Sequence, residues 1–145
     1  MAIQASMDIY LNEKKDGTYT YDAIFRLLKD TGWGNRESSL YTVLMPNDQD
    51  DFNWIDFSED EQKVINILKI KQELNEVGGI ELIFDNSSIG INLLLYPECR
   101  ISVIFSINRK VIMEQITDAN WYFEKLILSL ENKYYIESFE FTQTM

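Results

Sequence analysis

The sequence predicts a single α+β domain over residues 1–145, a mainly antiparallel sheet of about five to seven strands with about three helices packed on it. Three observations predict it. Apolar residues recur at helical spacing in three separate segments of the chain. Between residues 80 and 107, β-rich runs are joined by hairpin-type links and lack the helical spacers that a βαβ unit requires. The 145 residues are 46% hydrophobic and 13% aromatic, enough for a core and too apolar for intrinsic disorder.

The elements follow in order. Ser6 to Leu11 alternates weakly and reads as a first strand, closed by the turn Lys14-Lys15-Asp16-Gly17. Tyr21, Ile24, Phe25 and Leu28 then fall on one helical stripe, with Thr20 placed to cap its start and Gly32 just past its end. Leu40 to Met45 reads as a strand that Pro46 ends. In the second helix, Ser58 and Glu61 form a capping box, with Glu59, Asp60 and Glu61 at the positive end of the dipole. Its buried face is Val64, Ile65, Leu68 and Leu74, widened by Ile67 and Ile70, and Gly78-Gly79 stops it. Strands Ile80 to Phe84 and Ile89 to Leu95 flank the hairpin link Asp85-Asn86-Ser87-Ser88. After the turn Pro97-Glu98-Cys99, Arg100 to Ile107 sets Ile101, Val103, Phe105 and Ile107 on one face. Val111 to Ile116 adds a short strand. A third helix begins at Thr117, with Asp118 in its first turn, and carries Trp121, Leu126, Ile127 and Leu130. A strand from Tyr134 to Phe141 closes the chain.

Composition removes much chemistry. There are no histidines and one cysteine, so disulfide frameworks, Cys/His zinc sites and every Ser-His or Cys-His dyad are excluded. No phosphate-binding glycine loop of the Rossmann or Walker type occurs. Cys99 lies beside Arg100 with no histidine in the chain to activate it. Carboxylate pairs are plentiful, yet nothing in their spacing selects one, and Glu81 and Glu98 are expected to face solvent. The expectation is a protein that is not an enzyme and needs no cofactor or metal. Met1 to Leu11 has no basic segment followed by an apolar run, and no window approaches a membrane span, which predicts a cytoplasmic protein. Thirteen Lys+Arg against 24 Asp+Glu give a net charge of −11. That sign argues against nucleic acid and anionic membranes as partners and favours a basic protein.

The charge is concentrated. From Glu37 to Gln62 stand eight acids and no Lys or Arg, while the other 16 of the 24 acids face all 13 bases. Asp48, Asp50, Asp51, Phe52, Trp54, Asp56, Glu59 and Asp60 alternate acidic and aromatic side chains and are the candidate partner-binding residues. Two readings stand. The segment is a solvated loop whose aromatics tuck under the sheet, or its acids steer a basic partner that an aromatic anchors. On the second, reversing Asp48, Asp50 and Asp51 to Lys slows association and leaves the fold intact; on the first, Trp54→Ala lowers the melting temperature. Asp48, Asp50, Asp56 and Glu59 also match positions of a calcium loop, but Phe52 and Asn53 stand where such a loop needs a ligand and a glycine. Trp33, between Gly32 and Gly34, reads as a plug for the end of the core rather than an exposed anchor.

A small, acidic, histidine-free α+β chain with no catalytic motif resembles the immunity proteins of bacterial contact-dependent growth inhibition and other polymorphic toxin systems. The resemblance covers the whole chain in size, charge and element order. It implies a neutraliser of a cognate toxin domain, often a nuclease with a basic cleft, and the residues matching that role are Asp48, Asp50, Asp51 and Asp56 with Trp54. The chain is also similar to the small acidic α+β chaperones of type III secretion, which usually begin with a helix and dimerise. A phage-type nucleic-acid mimic is a third resemblance, carried by the same acids. Oligomeric state stays open.

Overall fold

The computed structural model describes residues 3–12, 18–35 and 40–145. The turn expected at Lys14 to Gly17, and Glu37 of the acidic segment, lie outside them. The fold is α+β. Its strands are β1 (Gln4–Asn12), β2 (Trp33–Gly34), β3 (Tyr41–Leu44), β4 (Trp54–Ser58), β5 (Gly78–Phe84), β6 (Gly90–Tyr96), β7 (Arg100–Ile107), β8 (Val111–Met113), β9 (Ile116–Thr117) and β10 (Tyr135–Thr144). Helices are α1 (Tyr21–Asp30), α2 (Glu61–Glu73) and α3, residues 119–131. The main sheet runs β10-β1-β7-β6-β5-β3-β4, with β2 also paired to β5, and each of these pairings is antiparallel. A separate hairpin joins β8 to β9.

Strand alternation divides the sheet into two faces. Ala5, Met7, Ile9 and Leu11 of β1 and Ile101, Val103 and Phe105 of β7 point to the helices, and the register places them side by side. They share one core with Ile24, Phe25 and Leu28 of α1, Val64 and Leu68 of α2, and Tyr122, Leu126 and Leu130 of α3. The opposite face carries Asp8, Tyr10, Asn92 and Ser102 in half-exposed positions. A second, small cluster of Leu44, Val77 and Leu94 lies apart from the main core, with Trp54 and Tyr96 packed against it.

Most local signals act where the sequence placed them. Thr20 caps α1 by accepting a bond from the Ala23 N–H at 3.2 Å, and Gly32 follows the helix at φ +114°. Trp33 plugs the core. It is fully buried, its indole N–H donates to the Lys125 carbonyl at 3.0 Å, and it meets Phe84 and Trp121 edge-on.

Several expectations need correction. Asp60, not Ser58, caps α2, its carboxylate accepting from the Gln62 N–H at 2.9 Å. Ser58 is instead held in the ladder opposite Tyr41, and its hydroxyl accepts from the Asp60 N–H at 3.0 Å. Helix α2 stops at Glu73, ahead of Asn75 in the left-handed region, and Gly78 and Gly79 belong to β5. Its buried stripe runs through Lys71, which leaves Ile70 and Leu74 exposed. The single strand expected at Val111 to Ile116 is two, turned at Glu114 (φ +50°), with Arg109 Nη1 donating to the Gln115 carbonyl and Thr117 Oγ1. Thr117 therefore ends β9, and Asp118 caps α3 by accepting from the Trp121 N–H. That helix is α-helical at Ala119–Tyr122 and Leu128–Glu131 and π-helical at Phe123–Ile127, a change of pitch with no signal in the sequence. Strands β2 and β4 were not expected.

Candidate protein-binding surface

Pro46 ends β3, and the chain crosses residues 46–53 before re-entering the sheet as β4. Four residues of this crossing have positive φ: Asn47 (67°), Gln49 (54°), Asp50 (59°) and Phe52 (50°). Asn and Asp tolerate that region, whereas Phe52 is strained there and must be held by its surroundings. Acids tie down the rest of the loop. Asp48 accepts from the Asp50 N–H at 3.1 Å, and Asp50 accepts from the Val77 N–H at 2.8 Å, which ties the loop to the start of β5. Glu76 accepts from the Asn47 N–H at 2.9 Å.

Beneath the loop lies Lys71, 0% exposed, whose position at i+7 from Val64 continues the apolar stripe of α2. Its ammonium donates to Asp48 Oδ1 at 2.5 Å and to the Met45 carbonyl at 3.2 Å, and pairs with Glu76 at 3.3 Å. A buried cation needs such partners, because desolvation alone would expel it. Asp48 and Asp50 thus fold the loop. Reversing Asp48 would set a second cation against Lys71, so the expectation that a reversal including Asp48 leaves the fold intact is corrected.

The other candidates divide differently. Trp54 is half-buried against the small cluster of Leu44, Val77 and Leu94. Asp56 is exposed and accepts from the Thr42 hydroxyl at 2.7 Å, across the β3–β4 pair. Asp51, Phe52, Ile55, Glu59 and Asp60 are exposed on or beside β4, which is one edge of the sheet. Glu61 turns back to Lys29 at 2.9 Å, and this bond raises the Lys29 ammonium above its ordinary pKa. The structure therefore leaves Asp51, Asp56, Glu59 and Asp60 exposed, as it does Phe52 and Ile55. Local spacing carried no sign of which acids turn inward.

The calcium-loop pattern does not converge, because Asp48, Asp50 and Asp56 address three different partners. Among the described residues, no group of three or more His, Cys, Asp or Glu is arranged to hold a metal ion. Cys99 sits half-buried at φ +58° in the β6–β7 turn, and the guanidinium of Arg100 lies 3.8 Å from the centre of the Tyr96 ring. No helix among the described residues is long and apolar enough to cross a membrane. Compared with protein-family models, curated proteins and solved structures, the chain matches none.

The sheet's other edge lies in the closing strand, the alternative interface should the acidic loop not be the one. Among the described residues β10 pairs with β1 on one side only, and Phe139 and Phe141 stand 45% and 39% exposed on it. Nearby, the β8–β9 hairpin exposes Ile112, Met113 and Ile116, and Gln143 fastens it to β10 by accepting from the Thr117 N–H at 3.0 Å. Alternating aromatics in Phe139-Glu140-Phe141 are a readable strand signal, but openness of an edge belongs to sheet order.

Proposed function

We propose that this chain is a non-catalytic protein-binding domain, an immunity-type protein that neutralises a basic toxin domain of a partner. One observation carries the reading. Asp51, Asp56, Glu59 and Asp60 are exposed on or next to β4, an edge strand of the sheet among the described residues, as are Phe52 and Ile55, in a stretch of sequence (residues 37–62) with no Lys or Arg. Like charges grouped this way raise the encounter rate with a basic surface, and an exposed aromatic supplies the short-range contact that slows dissociation. Asp48, Asp50 and Trp54 serve the same surface from beneath by fixing the loop and the strand.

The test pairs this chain with the product of the neighbouring reading frame. Co-purification and loss of that product's toxicity are expected. The triple variant Asp51→Lys, Asp56→Lys, Glu59→Lys should slow association and flatten its salt dependence in stopped-flow measurements, since such fields reach only about 8 Å at physiological ionic strength. Its melting temperature should stay near the parent's. A neighbour that is neither bound nor neutralised removes the immunity reading, and unchanged association in the triple variant removes β4 as the interface.

A further inference from the structure

We propose that the free edge of β10 takes up an extended segment of a partner protein as an added strand, one that alternates apolar and basic side chains. This inference is independent of the neutralising role assigned to β4. Eight of the ten residues of β10 are exposed, and among the described residues no strand pairs with its outer side. An unpaired row of backbone N–H and C=O groups is satisfied by another extended backbone. Edges are commonly guarded by Lys or Pro, and residues 134–145 contain neither.

The two faces of β10 set the side-chain pattern of its guest. On the helix side, Phe139 opposite Ile9 and Phe141 opposite Met7 open onto a groove of about 240 Å³, floored by Phe123 of α3. On the other side, Glu140 stands directly opposite Asp8. Like charges in that position repel. Asp8 takes a bond from the Ser102 hydroxyl at 2.6 Å, and among the described residues no Lys or Arg pairs with either carboxylate. Because side chains of a strand alternate, a segment that drops apolar groups into the groove presents its intervening residues to Glu140. Cations there would relieve the repulsion. A second copy of this chain would instead bring another Glu140 and, from its own β10, no Lys or Arg.

The probe is a fluorescent alternating Val-Lys peptide of the length of β10, added to the full chain. Binding by anisotropy is expected, with slowed amide hydrogen exchange at residues 135–144. A peptide of equal charge carrying proline at alternate positions should not bind, because it lacks the ladder N–H groups. Glu140→Lys should weaken binding about tenfold or more while leaving the melt intact or higher, since it turns the Asp8 repulsion into attraction. Phe139→Ser, which spares the backbone edge, should weaken it too. Equal binding of the proline peptide, protection confined to β4, or a dimer in sedimentation whose formation protects β10 would each overturn the proposal.

Discussion

Lys71 shows how far a side chain's role depends on what reaches it. Its spacing from Val64 and Leu68 turns it inward, and a buried ammonium is tolerable because Asp48 and Glu76 arrive from the loop and from the end of α2. Removing the cation leaves two carboxylates without their counter-charge in a dry site. Lys71→Met is therefore expected to cost about 3–5 kcal/mol in urea unfolding. Lys69→Met, on the exposed side of the same helix, should stay within about 0.5 kcal/mol of the parent. Equal effects of the two would mean that the ion pair does not hold the loop. Asp48 was legible as part of a charged run, but not as the partner of this lysine, since 23 residues separate the two.

Among the elements, β5 begins at residues that read as a helix stop. Gly78-Gly79 resembles a helix stop, yet the pair lies in a central strand, where its use is the space a missing Cβ leaves. A Cβ on Gly78 would stand 2.7 Å from the Tyr21 ring of α1, and one on Gly79 would stand 2.6 Å from Leu44 and 2.9 Å from Trp54. The two glycines thus let the helix layer close on one face and the small cluster close on the other. Gly78→Ala and Gly79→Ala should each cost about 1–3 kcal/mol, although alanine is no worse a strand former. Gly34→Ala, where a Cβ meets nothing within 4 Å, is the control and should be near neutral. A Gly79→Ala variant as stable as the parent would show that Leu44 and Trp54 can give way. The helix stripes, by contrast, were legible because each is written in side chains three and four residues apart.

For the whole molecule, buried phenols set the alkaline limit. Burial raises the hydroxyls of Tyr19, Tyr21 and Tyr122 above their ordinary pKa. Tyr19 donates to the Tyr96 carbonyl at 2.6 Å and Tyr21 to the Glu76 carbonyl at 2.8 Å, so both hold distant parts of the chain together in the neutral form. The unfolded chain loses these protons first, near pH 10, so stability is complete below that pH and falls as the pH rises towards the elevated folded values. Unfolding free energies measured from pH about 9 to about 11, followed by tyrosinate absorbance, should show tyrosinate appearing together with unfolding. Tyr19→Phe should be less stable at neutral pH and lose less of its stability on the alkaline side. Tyrosines that ionise fully while the fold persists would contradict this.

The sequence by itself determined the α+β class, the apolar stripe of α1, the part of the α2 stripe from Val64 to Leu68, the Thr20 cap, the buried Trp33 and the concentration of acid between residues 37 and 62. Each of these is written in neighbouring residues, whose spacing fixes local geometry before any distant contact forms. Only the tertiary structure decided which acids turn inward to Lys71 and the Val77 N–H, which face outward on β4, and that β10 ends the sheet with Phe139 and Phe141 uncovered. A carboxylate's environment and a strand's place in a sheet are set by segments far along the chain, and no local pattern carries them.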